Sequence, residues 1–121
     1  MLDARVESGL LYAIFISNRY NHLHDGAVLI HEDRITHAAV YLPMTRSVKL
    51  DKHLGTRHRA ALGTAEETDS IVIAVSEERG SVSIAYAGQL VEDIDIRKVK
   101  QHLQSLVHQN ALDRLSINGQ I

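Results

Sequence analysis

Gly55-Thr56-Arg57-His58-Arg59-Ala60-Ala61-Leu62-Gly63 decides how the chain is read. Its alanines and leucine favour a helix, and the segment predicts one from Thr56 to Glu67, opened by the Gly-Thr turn. Gly63 inside it costs ~1 kcal/mol relative to alanine. Just beyond, Ser70 to Val75 carries Ile71, Val72, Ile73 and Val75, a β-branched run that predicts a strand buried on both faces. A helix followed closely by a strand places the chain in the α/β class. The same stretch carries chemistry. Arg57 and Arg59 flank His58, and each guanidinium offers a planar fork of donors suited to phosphate oxygens. The unpaired N–H groups of a helix start point at the same anion. Two arginines there oppose the helix dipole unless an anion is bound. The plain alternative is a solvated helix start with its charges outward.

Upstream, Leu23-His24-Asp25-Gly26-Ala27 sets a carboxylate on a turn before an apolar run. Asp25 is either a turn residue bonding its own backbone or a base or metal ligand, and Gly26 permits close backbone approach. His24 is either a satisfied polar residue or a ligand. Residues 3–16 predict an amphipathic helix with Asp3 as its cap. Ala27–Ile30 and Ile35–Leu42 predict a hairpin around a charged turn. Pro43 ends it, and 44–54 read as irregular. Downstream, Ser76-Glu77-Glu78-Arg79 follows a strand, where ligands of α/β sheets collect; a solvated turn is the alternative. Ser81–Tyr86 predicts an alternating strand, Gln89–Val91 a short one. Asp93 or Asp95 caps a last helix over 95–109 with the stripe Ile96, Val99, Leu103, Leu106, Val107. The tail 110–121 has Leu112, Leu115 and Ile117 to pack on the domain or on a partner.

The 121 residues suit one compact domain. Apolar residues make up 45% and charged residues 23%, an ordinary globular composition. A net charge of −2 argues against bulk attraction to nucleic acid or anionic membrane, so phosphate binding needs a local donor cluster. Without cysteines, thiolate chemistry and disulfides are excluded, and a reducing cytoplasm fits. No apolar run approaches the ~20 residues of a membrane span, and Asp3, Arg5 and Glu7 make the start unlike a secretory signal.

The Asp25-Gly26-Ala27 and Arg57-His58-Arg59 motifs at this separation resemble the diadenylate cyclase (DAC) family. The resemblance continues through Tyr41-Leu42-Pro43, Thr68-Asp69-Ser70 and Ser76–Gly80, and covers Leu2 to Leu90. It implies a DAC-like domain with a mixed central β-sheet flanked by helices, core 2–109 and tail 110–121. It implies condensation of two ATP into cyclic di-AMP with release of pyrophosphate. Asp25 is then the base or orienting group for a ribose 3′-OH. Gly26 allows close approach to the nucleotide, and Arg57, His58 and Arg59 contact the triphosphate. Ala27, Tyr41, Leu42, Gly55, Thr56, Ser76 and Arg79 bind ATP, with Tyr41 and Leu42 at the adenine. His24, Asp25 and Glu78 are the implied metal ligands. An imidazole ligand favours Mn²⁺ over Mg²⁺, with Co²⁺ also suited. Each site supplies half of the reaction, which implies a homo-oligomer with face-to-face sites.

Members usually carry more chain before the helix that 3–16 resembles, so the domain is expected to be shortened at its N-terminus, with an exposed sheet edge that favours association. The membrane helices and DNA-binding modules of some relatives are not expected here. A nucleotide- or cyclic-dinucleotide-binding module without turnover is the second reading.

Overall fold

The computed structural model describes residues 2–16, 19–21, 23–45, 55–76 and 80–117. Two compact units result, Met1–Leu42 and Pro43–Ile121, and each is built around a three-stranded antiparallel sheet. The α/β class therefore rests on two small sheets and three helices.

In the first unit, β1 (Ala4–Arg5) and β2 (Ala27–His31) flank β3 (Arg34–Val40), and α1 is Ser8–Phe15. The sequence predicts a helix from residue 3, and here the structure differs. Ala4 and Arg5 pair with Ile35 and Arg34, and Leu2 N–H donates to Thr36 O at 2.7 Å. Asp3 does not cap α1; its carboxylate takes the Arg34 guanidinium at 2.8 Å. Glu7 occupies the cap position in extended conformation, with no side-chain cap bond. The hairpin forms as expected. Glu32 and Asp33 both have positive φ, 49° and 65°, the geometry of two-residue turns that match strand twist. β3 stops at Val40, so Tyr41 lies beyond the strand and is 84% exposed.

In the second unit, β5 (Val82–Tyr86) lies between β4 (Val72–Val75) and β6 (Gln89–Ile94). The helix α2 spans Thr56–Glu67, as the sequence predicts, and packs on all three strands. Its buried His58, Ala61, Leu62 and Ala65 fall at helical spacing on one face. Ala61 and Ala65 meet Ala74 and Ala85 in the core, with Val72 and Leu90 at its margin. Gly63 and Thr64 are buried too, because the chain at Pro43–Thr45 crosses the helix on a second side. Thr45 N–H donates to Arg59 O at 3.0 Å. A Cβ on Gly63 would fall 2.6 Å from Met44 C and 2.7 Å from Thr45 N, and closer still to Pro43 O.

Two strand expectations are corrected. β4 is not buried on both faces: Ile73 is 49% and Val75 45% exposed, while Ala74 is buried, since β4 is an edge strand packed on one side. β5 does not alternate; Val82 to Ala85 are all buried, because it is the central strand. Ser83 keeps its hydroxyl satisfied by accepting from Asp93 N–H at 3.4 Å. β6 runs longer than expected, to Ile94.

Asp95 is the cap that forms, accepting from Arg97 N–H at 3.0 Å. It opens a 3₁₀ turn, Ile96–Lys98, that continues into α3 (Val99–Ile117). The last helix therefore extends well past 109. Its predicted stripe is only partly covered, with Ile96 76% and Val107 60% exposed. Polar contacts hold its second half instead. Asn110 Nδ2 donates to Asp69 O at 2.8 Å and Arg114 Nε to the Asp69 carboxylate at 2.9 Å. Tyr86 Oη donates to Asp113, which also accepts from Gln109. Leu112 and Leu115 are both 39% exposed. The expectations for most of 44–54, for Glu77–Arg79, for residues 118–121 and for the Ile117 side chain lie outside the described residues.

Two predictions follow from this packing. Gly63→Ala should destabilise the fold by about 1–3 kcal/mol in urea denaturation, although alanine is the better helix former; equal or greater stability would exclude the close crossing. The hydrogen bond from Tyr86 holds the Asp113 carboxyl below its ordinary 3.8, and the same bond, then burial, holds the phenol above its ordinary 10.0. A lowered carboxyl stabilises above its unfolded value and loses that contribution as pH falls. A raised phenol stabilises below its unfolded value and loses that contribution as pH rises. The urea midpoint should therefore fall on the acid side of ~4 and the alkaline side of ~10, with the alkaline flank absent in Tyr86→Phe.

Candidate functional site

The expected site residues fall into two sets, one in each unit. In the first unit they gather at the end of the β2–β3 hairpin away from its turn. Ala27 pairs with Val40, so His24–Ala27 enter β2 where Tyr41 and Leu42 leave β3. A hairpin thus brings together two segments that the sequence separates by more than ten residues.

Around Asp25 the backbone is tightly determined. His24 Nδ1 lies 2.7 Å from Asn21 O, and its Nε2 lies 3.0 Å from Asp25 Oδ1. The imidazole is largely enclosed, its side chain 19% exposed, while the Asp25 side chain is 73% exposed. The protein therefore grips the ring and offers the carboxylate to solvent. Gly26 also serves the packing of its own unit. A Cβ there would fall 2.5 Å from the Ala39 Cα and carbonyl carbon, so the missing side chain makes room for the neighbouring strand. Ala39 itself has φ of 56°, and the pairing shifts register between Ala27 and Leu29. This bulge re-aims the strand end next to Asp25.

The second set collects at the start of α2. Gly55 caps the helix with backbone alone, and the first turn has no acidic residue. The first helical bond is Arg59 N–H to Gly55 O at 3.2 Å, which leaves the N–H groups of Thr56, Arg57 and His58 ahead of it at the positive end of the dipole. Arg57 reaches across to β4, donating from Nη1 to Val75 O at 3.0 Å. That contact ties the helix start to Ser76, whose N–H and carbonyl close the following turn with Ser81 and Gly80. Gly55, Thr56, Arg57 and Ser76 are thereby brought together. His58 points inward: it is 4% exposed, and its buried Nδ1 lacks a hydrogen-bond partner. Its place is under the helix start. Arg59 is half-buried, with Thr45 bonded to its carbonyl. Glu78 and Arg79 lie outside the described residues.

The donors suit a divalent cation only in part. His24 Nε2 and Asp25 Oδ1 lie 3.0 Å apart, one imidazole nitrogen and one carboxylate oxygen side by side. Among the described residues no three His, Cys, Asp or Glu side chains converge for a metal. Two protein donors completed by substrate oxygens is a known pattern for such ions. Asn21, which is not among the expected site residues, bonds Ile14 O and Ile16 O through its side chain and His24 Nδ1 through its carbonyl; its position after the end of α1 was the available signal.

This chain belongs to the DAC family, DisA bacterial checkpoint controller nucleotide-binding, which it matches over residues 1–90. It is 46% identical over 115 residues to the cyclic di-AMP synthase CdaA of Bacillus subtilis, covering 95% of this chain and 41% of that protein. It is 54% identical over 93 residues to the diadenylate cyclase of Listeria monocytogenes serotype 1/2a, covering 77% and 33%. The chain thus spans less than half of either relative. The crystal structure of a double mutant of DacA from Staphylococcus aureus matches with a TM-score of 0.81 and 41% identity, over 86% of this chain and 68% of that one. No helix among the described residues is long and apolar enough to cross a membrane.

Gly26→Ala should lower stability by about 1–3 kcal/mol, read as a fall in the thermal midpoint. A Gly26→Ala protein as stable as the parent would return Gly26 to a purely nucleotide-facing role.

Proposed function

We propose that this chain is the catalytic part of a diadenylate cyclase that condenses two ATP into cyclic di-AMP and two pyrophosphates. Each ribose 3′-oxygen forms a bond to the α-phosphorus of the other ATP, and the bond to the leaving pyrophosphate breaks. The observation that carries the reading is the α2 start, an N-terminus with no side-chain cap and no carboxylate in its first turn and with Arg57 anchored to Val75 O next to Ser76, in a chain about half identical to named cyclases.

Arg57, Arg59, Thr56 and the amides of the first turn hold the triphosphate, and Ser76 donates to it. His58 supports that turn from the core. Ala27, Tyr41 and Leu42 receive the adenosine. Asp25 orients the 3′-OH and accepts its proton. Its exposure lets it reach substrate, and His24 keeps it from swinging away. His24 and Asp25, with Glu78, would hold a divalent cation, Mn²⁺ by preference for a mixed imidazole and oxygen set. Such an ion supplies charge neutralisation at phosphate and a more acidic hydroxyl. Positioning and charge stabilisation then account for most of the rate. One site holds one ATP, so two copies face each other about a two-fold axis. A chain without cysteines fits a reducing cytoplasm, the compartment we propose.

Incubation with ATP and Mn²⁺ should yield cyclic di-AMP and pyrophosphate; ATP returned unchanged would leave a nucleotide-binding module. Asp25→Asn should reduce turnover by a factor of about 10²–10⁴ with ATP affinity nearly intact, and unchanged product formation would remove Asp25 from the mechanism. Arg57→Ala should weaken ATP binding by about tenfold or more, measured by calorimetry beside a thermal melt because its bond to Val75 O is also lost. Undiminished ATP affinity would exclude Arg57 from the site.

A further inference from the structure

We propose that the second half of α3 is a strap whose fastening is coupled to nucleotide binding at the far end of α2. The coupling rests on the phosphate-holding role given to the α2 start above, and every contact lies within the second unit. The strap is fastened at Thr68-Asp69-Ser70, a motif shared with the family that the chemistry above does not use. Thr68 Oγ1 donates to Thr64 O at 2.8 Å and accepts from Ser70 N–H at 3.2 Å. The loop after α2 is thereby bound to the helix end and turned at once. Asp69, held between them, meets α3 twice: its carbonyl accepts from Asn110 Nδ2 and its carboxylate from Arg114 Nε. These two donors are four residues apart and share a helix face. Asp113 adds the bond from Tyr86 at the end of β5. The family match ends at residue 90, so the receptacle lies inside it and the strap outside.

Such a fastening opens on its own. No side chain of α3 is fully buried among the described residues, and Val107 is 60% exposed. The Arg114 and Asp69 side chains are 59% and 56% exposed, where an ion pair is weak. A segment with little apolar burial and solvated hydrogen bonds is released locally, while the rest stays folded. What the strap holds leads to the site. α2 has 12 residues and is about 18 Å long. Its start carries Arg57, and its end leads through Asp69 into β4, which returns to Val75, whose carbonyl Arg57 takes. Helix, loop and strand thus form one closed lever, packed on Ala61, Ala65 and Ala74. The nucleotide loads one end of this lever and α3 the other. When the strap is released, the loop and the helix end gain freedom that nucleotide binding must remove again. Each event therefore favours the other, and by equal factors.

The test uses the whole chain, hydrogen exchange read by mass spectrometry, and α,β-methylene-ATP with Mn²⁺, an analogue that cannot release pyrophosphate. Without nucleotide, the amides of Val107–Ile117 should be protected at least about tenfold less than those of Ser83–Ala85. Saturating analogue should slow their exchange about fivefold or more. Ala111→Pro breaks the helix in the middle of the strap. It should keep Ser83–Ala85 protected and weaken binding of the analogue about fivefold, read by calorimetry, whereas Ala111→Ser should bind as the parent does. If Ala111→Pro fails to fold, the two exchange comparisons on the parent decide. Equal protection of α3 and β5 overturns the strap. Exchange of α3 unmoved by bound analogue overturns the coupling, as does parental affinity in a folded Ala111→Pro protein. A parent that takes up no analogue overturns the reading of the α2 start, and the coupling with it; the comparison of α3 with β5 then judges the strap alone.

Discussion

The close seating of α2 is the constraint on which the second unit depends. Ala61 and Ala65 meet Ala74 and Ala85, and residues this small let helix and sheet backbones approach until little space remains. Gly63 extends the same logic to the other side, where the Pro43–Thr45 backbone occupies the space a side chain would fill. A helix pinned on two sides cannot slide along its axis without clashing, so its first turn stays in one place. The donors of Thr56, Arg57 and His58 owe their aim to alanines a turn or two away.

The first unit reaches a similar end by other means. Its core is thin: among the described residues, Ile14 and Ile35 are its buried large side chains. Rigidity near Asp25 comes from hydrogen bonds and from backbone crowding. The missing Cβ of Gly26 and the positive φ of Ala39 bring two strand ends closer than side chains normally permit. A left-handed alanine is strained by of order 1–3 kcal/mol, and such strain persists where surroundings over-determine it. The strained pair lies beside Asp25, the carboxylate for which we propose a role on substrate.

What the sequence made legible was local. The range of α2, the β2–β3 hairpin and the Asp95 cap follow from propensity, turn chemistry and capping, all read within a few residues. The misreadings came from distant partners. Ala4 and Arg5 have no strong strand preference of their own, and pairing with β3 thirty residues away made them a strand. Ile73 and Val75 read as core because β-branched residues favour strands whether one face is covered or two. Alanine does not announce burial, so the core under α2 was invisible. The continuation of α3 depends on Asp69 and Tyr86 meeting Asn110, Asp113 and Arg114, contacts no window of sequence contains. The candidate residues were legible by type and motif. Their surroundings were not: His58 is buried, and Gly26 leaves room for the backbone of Ala39.

The division of the candidate residues between two units bears on how such a site can be changed without being lost. The Asp25 half is set by hydrogen bonds that converge on a single asparagine, each net worth about 1 kcal/mol and each replaceable in principle by another polar arrangement. The arginine half is set by steric contact of small residues, where one added methyl group collides with backbone. Loops held by polar contacts accommodate substitution by re-pairing; close-packed crossings do not. The two sets of candidate residues are thus held by forces of different tolerance. Variation that alters the carboxylate turn is open to compensation nearby, whereas the seat of α2 must be kept whole.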